Sequence, residues 1–205
     1  VVVGVNVNLD YVKLKSSDGS IYYFAKDNLE FQRLEKQFND KKQWVDGVPK
    51  LKTIAQIFKE HGGYEIIGSV KGSELVGLEY IGPFDDLEAQ NKPGGFPFIN
   101  EELKNNGVTA VKQHRVIDPG KDKIGNDIVV SGEGTGIVHM APGCGDIDHK
   151  IGKSKNLINI APLDEEAKFM DSFGWLNGKS ATDPDTIDKI IADLKDRKFL
   201  VHVEQ

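Results

Sequence analysis

The fifteen residues from Gly134 to Asp148, GTGIVHMAPGCGDID, constrain the fold more than any other part of this chain. Their pattern predicts a buried strand that Pro142 ends, a sharp turn, and then the first turn of a helix. One imidazole, His139, lies in the strand, and one carboxylate, Asp148, lies just past the turn. The order strand, turn, helix therefore predicts that a base-type group and an anion lie at the two edges of one small pocket.

Side chains alternate along this strand, so it has two distinct faces. His139 shares its face with Ile137 and Ala141, and a small residue beside an imidazole leaves room for a ligand. The glycines on either side of Thr135 favour close approach of another backbone or of a ligand. The glycines after Pro142 favour a sharp reversal of the chain. The segment thus combines free space and a chain reversal in one place.

The residue type at position 148 predicts what this pocket would bind. Exposed N–H groups and the dipole at a helix N-terminus stabilise an anion, so a carboxylate there stays ionised and can pair with an ammonium group. Two plainer interpretations stay open from position alone: Asp148 as a helix-capping residue, and His139 as a hydrogen-bonded core histidine.

Composition excludes several classes of protein. The 205 residues have a hydrophobic content of 39%, and their net charge is −6. The negative charge argues against sequence-independent binding of nucleic acid, which needs clustered lysines and arginines. The single cysteine, Cys144, excludes an internal disulfide and favours a reducing compartment. No apolar run approaches the ~20 residues of a membrane span, and no signal peptide is visible. Because the chain starts with Val1 instead of Met, we expect an excised piece of a longer protein.

Local patterns predict most of the secondary structure. Asp18-Gly19 predicts a hairpin of strands 11–15 and 21–24. Helical spacing predicts helices over 28–40 and 51–61, and Asp183-Pro184 predicts the start of a last helix. The apolar stripe expected on that last helix is Ile187, Ile190, Ile191 and Leu194. Further strands are predicted over 1–8, 64–70, 78–81, 108–117, 127–131, 136–141, 157–160 and 199–203, with a long surface loop over 82–100.

Many short strands with helices between them predict a mainly β fold with helices, in which a β-barrel-like core is decorated by α-helices. We expect one domain over residues 1–205, with a helical insertion at about 27–63.

The segment from Gly134 to Asp148 closely resembles the editing domains of class I aminoacyl-tRNA synthetases for branched aliphatic amino acids. These domains carry a Gly-Thr-Gly strand, a proline turn and an aspartate a few residues later, which match residues 134–136, Pro142 and Asp148. The residue at the position of His139 separates the branches: it is His in isoleucyl, Lys in valyl and Met in leucyl enzymes. The segment is therefore most similar to the isoleucyl branch.

The resemblance covers the chain unevenly. It is strong over 133–171, partial over 1–15, 64–84 and 196–205, and poor over 27–63. The family's threonine-rich strand, which lines the same pocket, would lie before Val1, and Ala167 stands where the family often has glycine. Neither signature of the ATP-using domain, His-Ile-Gly-His or Lys-Met-Ser-Lys-Ser, occurs. The resemblance therefore implies no cofactor in this domain, with ATP used by a catalytic domain that this sequence lacks.

By analogy with the family, the chain removes valine wrongly attached to tRNA(Ile), as valyl-tRNA(Ile), as valyl-adenylate, or both. The two expected catalytic residues are Asp148, which would hold the α-ammonium group, and His139, which would face the terminal ribose or the pocket wall and limit side-chain size. Backbone groups and the terminal adenosine hydroxyl would position the attacking water. The expected substrate-binding residues are Gly134, Thr135, Gly136, Met140, Ala141, Pro142 and Gly145.

The resemblance also implies partners and location. The partners are the 3′ end of tRNA(Ile), the valine moiety of the mischarged substrate and the remainder of the synthetase chain, with no metal, no membrane and a cytoplasmic location. His149, Lys150, Lys153 and Lys155 form a cationic cluster near the expected site. This cluster either meets phosphates of the tRNA 3′ end or is a solvated helix face.

Three alternatives stay open at this point. The first is a valyl-type editing domain that clears threonine. The second is a metal-dependent hydrolase, because His139, Cys144, Asp146, Asp148 and His149 are potential ligands, although their spacing matches no standard zinc pattern. The third is a non-catalytic domain that only docks tRNA.

Overall fold

The computed structural model of the chain describes residues 2–32 and 51–203. Within these ranges the strands are β1 (Val2–Val5), β2 (Asp10–Ser16), β3 (Ile21–Ala25), β4 (Tyr64–Lys71), β5 (Val116–Ile117) and β6 (Ile137–Met140). The α-helices are α1 (Ile54–Glu60), α2 (Gly72–Leu75), α3 (Glu101–Asn105), α4 (Asp146–Ser154) and α5 (Pro184–Asp196). Short 3₁₀ helices cover Lys26–Asn28, Glu88–Asn91, Val111–Gln113 and Gly174–Leu176.

The strands form two three-stranded sheets, with the orders β5-β1-β6 and β3-β2-β4. In the second sheet β2 pairs antiparallel with both neighbours, and Leu14 lies opposite Tyr22 of β3. The predicted hairpin is confirmed, because the turn at Asp18-Gly19 places Gly19 at a φ of +88°, which glycine adopts without strain. The expected fold class, mainly β with helices, is confirmed by this mixture of short strands and helices.

Contacts divide the described residues into two compact units. Unit one consists of residues 2–3, Gly77–Val116 and His139–Val203. Unit two consists of residues 4–32, 51–76 and Ile117–Val138. The expectation of a single domain over 1–205 stays a prediction. No helix within the described ranges combines the length and the apolar character that a bilayer crossing requires.

Unit two has its core between helix α1 and the β3-β2-β4 sheet. Thr53 caps α1 through a capping box with Gln56, and Gly62, just past the helix end, adopts a φ of +100°. Phe58 of this helix packs edge-on against Tyr22, with ring centroids 4.9 Å apart. The buried members of the core are Val12, Leu14, Leu29, Ile54, Ala55 and Phe58. The second predicted helix is thus confirmed, with a slightly later start.

Unit one has a separate core. Its buried members are Leu87, Ala89, Leu103, Ala110, Ile158, Ile160, Phe173 and Leu176. Helix α5 begins as predicted, with Asp183 as N-cap and Pro184 in the first turn. Its expected buried stripe is only partly buried: Ile190 packs against the core, whereas Ile187 remains 42% exposed.

Several predicted elements are wrong. Residues 108–117 form a 3₁₀ turn and a two-residue strand, and within this turn the side chain of Gln113 bonds Ile158 N (2.6 Å) and Asn156 O (2.9 Å). Residues 78–81, 127–131, 157–160 and 199–203 form no strand, and only isolated bridges occur in them, at Glu79, Asp127 and Ile160. The helix predicted from Asn28 is replaced by the 3₁₀ helix Lys26–Asn28 at its start, and residues 33–50 of the expected insertion lie outside the described residues.

Ala167 has a left-handed backbone conformation, which glycine adopts more easily than alanine. Its φ is +58°, in the left-handed region where a Cβ is strained. Its N–H donates to Asp164 O at 3.1 Å within a tight turn.

Candidate functional site

The Gly-Thr-Gly segment lies in unit two, where backbone hydrogen bonds and close packing fix its position. Gly134 and Gly136 have φ values of +53° and +72°, which favour glycine. A Cβ on Gly136 would lie 2.2 Å from the Cβ of Ala25, so the two backbones pack directly together. Thr135 O accepts from Ala25 N at 2.9 Å, and the Thr135 hydroxyl bonds the backbone of Ile137. In unit two these contacts give the segment a structural role.

Two buried polar side chains in unit two complete this support, and the sequence pattern did not reveal either. Asn28, which is fully buried, donates from Nδ2 to Glu133 O (2.8 Å) and accepts from Gly132 N (2.7 Å) at Oδ1. Tyr11, also fully buried, donates its hydroxyl to Gly136 O at 2.7 Å. An asparagine and a tyrosine 105 and 125 residues away in sequence from these partners carry no local signal of such pairing.

Strand β6 brings His139 to the surface of unit one. Met140 is buried with 1% exposure, whereas His139 is exposed, as alternation along a strand requires. Partial desolvation lowers the pKa of His139 below its ordinary value, and the negative charge of Asp148 opposes this shift. The imidazole is therefore mainly uncharged at neutral pH and lies within electrostatic reach of the carboxylate.

Asp148 lies in the first turn of α4, as predicted, and is anchored. Its Oδ2 accepts a hydrogen bond from Ala141 N at 2.8 Å, which ties the helix start to the end of β6. Ala141 O in turn accepts from Cys144 N at 2.9 Å and closes the turn. Asp148 Oδ1 has no hydrogen-bond partner within the described ranges. The arrangement leaves one oxygen of a fixed, half-buried carboxylate available to a cation.

The turn between β6 and α4 is clamped by close packing. A Cβ on Gly143 would lie 2.0 Å from Ile160 O, and a Cβ on Gly152 would lie 2.7 Å from the Cβ of Pro142. Neither Gly143 nor Gly145 has a positive φ, so the reversal does not need their left-handed freedom. Gly143 is required for close approach, whereas a Cβ on Gly145 would meet only the Asp148 carboxylate, at 3.9 Å.

Cys144 lies in the same turn, and its thiol is exposed. Desolvation and then the charge of Asp148 raise the pKa of this thiol, which opposes a nucleophilic thiolate. Among residues 2–32 and 51–203, no three His, Cys, Asp or Glu side chains come together in a group that could hold a metal ion. The alternative of a metal-dependent hydrolase has no ligand cluster in this part of the chain.

A cavity of about 370 Å³ lies next to this turn, within unit one. Pro142 and His149 contribute to its wall, whereas His139 and Asp148 do not line it. His149 Nδ1 lies 3.2 Å from Pro142 O. Of the expected cationic cluster, Lys150 pairs with Asp146, and Lys153 joins the cavity wall. Pro142 and His149 therefore face the cavity, whereas His139 and Asp148 lie outside its wall.

Comparison with known proteins connects this segment to one class of enzyme. The chain is 33% identical over 177 residues to an isoleucine–tRNA ligase of Methanocaldococcus jannaschii. The aligned segment covers 84% of this chain and 15% of that protein. The chain is related to one segment of the isoleucine–tRNA ligases. The enzyme of that name from Sulfolobus acidocaldarius is 34% identical over 143 residues, 69% of this chain and 11% of its own length. An isoleucine–tRNA ligase 2 of Bacillus anthracis is 25% identical over all 205 residues, 14% of its length.

The chain therefore spans only about 11–15% of these three ligases. No family model matches it. The relation confirms the isoleucyl similarity of the sequence motif, and the roles of the individual site residues stay predictions.

Proposed function

We propose that this chain is an editing domain of an isoleucine–tRNA ligase and that it hydrolyses valyl-tRNA(Ile). Two observations support the proposal: the relation to the ligases, and the anchored carboxylate of Asp148, which interacts electrostatically with the His139 imidazole. The reaction adds water across the ester between valine and the terminal ribose. The carbonyl carbon gains the water oxygen, the ester C–O bond breaks, and the ribose hydroxyl regains a proton.

The anchored carboxylate carries the proposal. An aminoacyl ester has a free α-ammonium group, and Asp148 offers it one carboxylate oxygen while the other is held by Ala141 N. A charge-assisted hydrogen bond of this kind contributes about 1.5–3 kcal/mol. Because Ala141 fixes the carboxylate beforehand, little rotamer entropy is lost when the ammonium group binds.

His139 forms a wall of the site that excludes side chains larger than valine. A hydrophobic pocket separates side chains that differ by one methylene by only about 1–3 kcal/mol, a figure known from isoleucine and valine in the isoleucyl enzymes and not obtained from this chain. A second, smaller site that excludes isoleucine by bulk then improves accuracy. An uncharged imidazole within electrostatic reach of the carboxylate can provide that wall without repelling the substrate ammonium group.

The proposal is tested by measuring release of valine from valyl-tRNA(Ile) with four versions of the chain: wild type, Asp148→Ala, Asp148→Asn and Asp146→Ala. Asp148→Ala should slow hydrolysis about ten- to a hundredfold. Asp148→Asn keeps an acceptor for Ala141 N but loses the charge, so it should be nearly as slow. Asp146 lies in the same helical turn with an exposed side chain, so Asp146→Ala should keep most of the activity.

The outcomes separate this proposal from its alternatives. Equal hydrolysis by wild type and Asp148→Ala, with both variants folded by circular dichroism, contradicts the role of Asp148. Absence of hydrolysis both by the wild-type chain and by the whole ligase that carries it contradicts the editing activity and leaves a tRNA-docking role. Faster hydrolysis of threonyl-tRNA(Val) than of valyl-tRNA(Ile) would identify the valyl-type reaction instead.

A further inference from the structure

The cavity next to the Pro142 turn has an apolar wall with an open aromatic ring. It lies within unit one, and Phe98, Ile99, Pro142 and Leu157 form its apolar part. Phe98 is 71% exposed, although a phenyl ring in water is unfavourable. The volume, about 370 Å³, falls in the range of small-ligand sites, which is ~300–1,000 Å³. A flat ligand that covers the Phe98 ring would fit this wall.

The polar part of the wall favours a ligand with hydrogen-bonding edges and negative charge. Asn159 Oδ1 is enclosed and has no hydrogen-bond partner within the described part of the chain. Lys153 is exposed on the wall and pairs with no carboxylate among the described residues. Glu101, which follows the lining residue Asn100, is already paired with Lys104 at 3.3 Å. As far as residues 2–32 and 51–203 show, the cavity wall therefore combines an exposed aromatic ring, a lysine with no carboxylate partner and an amide oxygen with no hydrogen-bond partner.

We infer that this cavity binds one unstacked nucleotide of single-stranded RNA. The base would stack on Phe98 and bond the amide-bearing wall, and its phosphate would meet Lys153. Exposed aromatic rings next to cations are the usual means by which proteins hold single-stranded nucleic acid. An apolar peptide would leave Lys153 and Asn159 without partners, and a small carboxylate would leave Phe98 uncovered. The inference rests on the proposed function only in expecting RNA as a ligand.

Binding of a fluorescein-labelled, non-acylated single-stranded oligoribonucleotide, followed by anisotropy, tests the inference. Phe98→Ala should raise the dissociation constant about tenfold, since stacking of one base contributes a factor of that order. Phe98→Tyr keeps the ring and should bind like wild type. Lys153→Ala should lower the slope of log affinity against log salt by about 0.7, which corresponds to one lost phosphate contact on a single strand.

Matched controls lie in the same unit. Phe199→Ala removes another exposed ring that does not line the cavity, and Lys189→Ala removes a lysine from the exposed side of α5; both should bind like wild type. An abasic oligonucleotide should bind wild type and Phe98→Ala equally. Unchanged affinity in Phe98→Ala, or equal losses in Phe98→Ala and Phe199→Ala, overturns the inference. Because the probe carries no amino acid, this result is independent of valyl-tRNA(Ile) hydrolysis.

Discussion

Replacing Asn28 by alanine should destabilise the chain more than any exposed substitution in unit two. The side chain is fully buried and bonds three backbone groups: Glu133 O at 2.8 Å, Gly134 O at 3.2 Å and Gly132 N at 2.7 Å. Each net hydrogen bond contributes about 1 kcal/mol, and a buried group left without a partner costs about 1–3 kcal/mol. The loss of two short bonds and one longer one should therefore lower the free energy of unfolding by about 3 kcal/mol.

The assay is thermal and urea unfolding followed by circular dichroism. A loss of about 3 kcal/mol lowers the melting temperature by roughly 6–12 °C in a chain of this size. Asn28→Asp keeps the acceptor for Gly132 N but sets a carboxylate against two carbonyl oxygens, so it should be at least as unstable. Asn8→Ala, at an exposed asparagine of the same unit, should stay within about 0.5 kcal/mol of wild type. An Asn28→Ala variant as stable as the Asn8→Ala control would refute the reasoning.

The remaining predictions concern unit one. Gly143→Ala places a Cβ 2.0 Å from Ile160 O and should cost about 1–3 kcal/mol of unfolding free energy, whereas Gly145→Ala meets nothing closer than 3.9 Å and should be nearly neutral in the same urea titration. Equal stability of the two variants would contradict the close packing of Gly143. His114 is 5% exposed, stacks on Tyr80 and lies 3.1 Å from Asp85 Oδ1; its pKa is lowered because desolvation outweighs the Asp85 charge. The unfolded state then binds more protons than the folded state below pH of about 6.5, so stability should fall on acidification from there, by at most about 1.4 kcal/mol per pH unit. His114→Gln should flatten this slope while His61→Gln, at an exposed position, keeps it; an unchanged slope in His114→Gln would show that another group is responsible.

Elements whose signals are local were predictable. The Asp18-Gly19 turn, the Thr53 cap of α1 and the Asp183-Pro184 start of α5 each depend on residues within one turn of chain, and the structure has all three. The order of β6, turn and α4 was predicted for the same reason. Strands 127–131 and 199–203 were predicted from β-branched composition, which is a weak signal because strands need a partner that composition does not supply.

The sequence by itself determined the strand–turn–helix around Pro142, the isoleucyl-type histidine and the place of Asp148 at a helix start. Only the tertiary structure decided that Asp148 is fixed by Ala141 N, that Gly143 serves packing against Ile160, and that Asn28 holds the chain before β6 from 105 residues away. It also decided that Phe98 and Lys153 share one cavity wall. The physical reason is distance along the chain: caps and turns follow from neighbouring residues, whereas hydrogen-bond partners and packing contacts of buried groups depend on which distant segments the folded chain brings together.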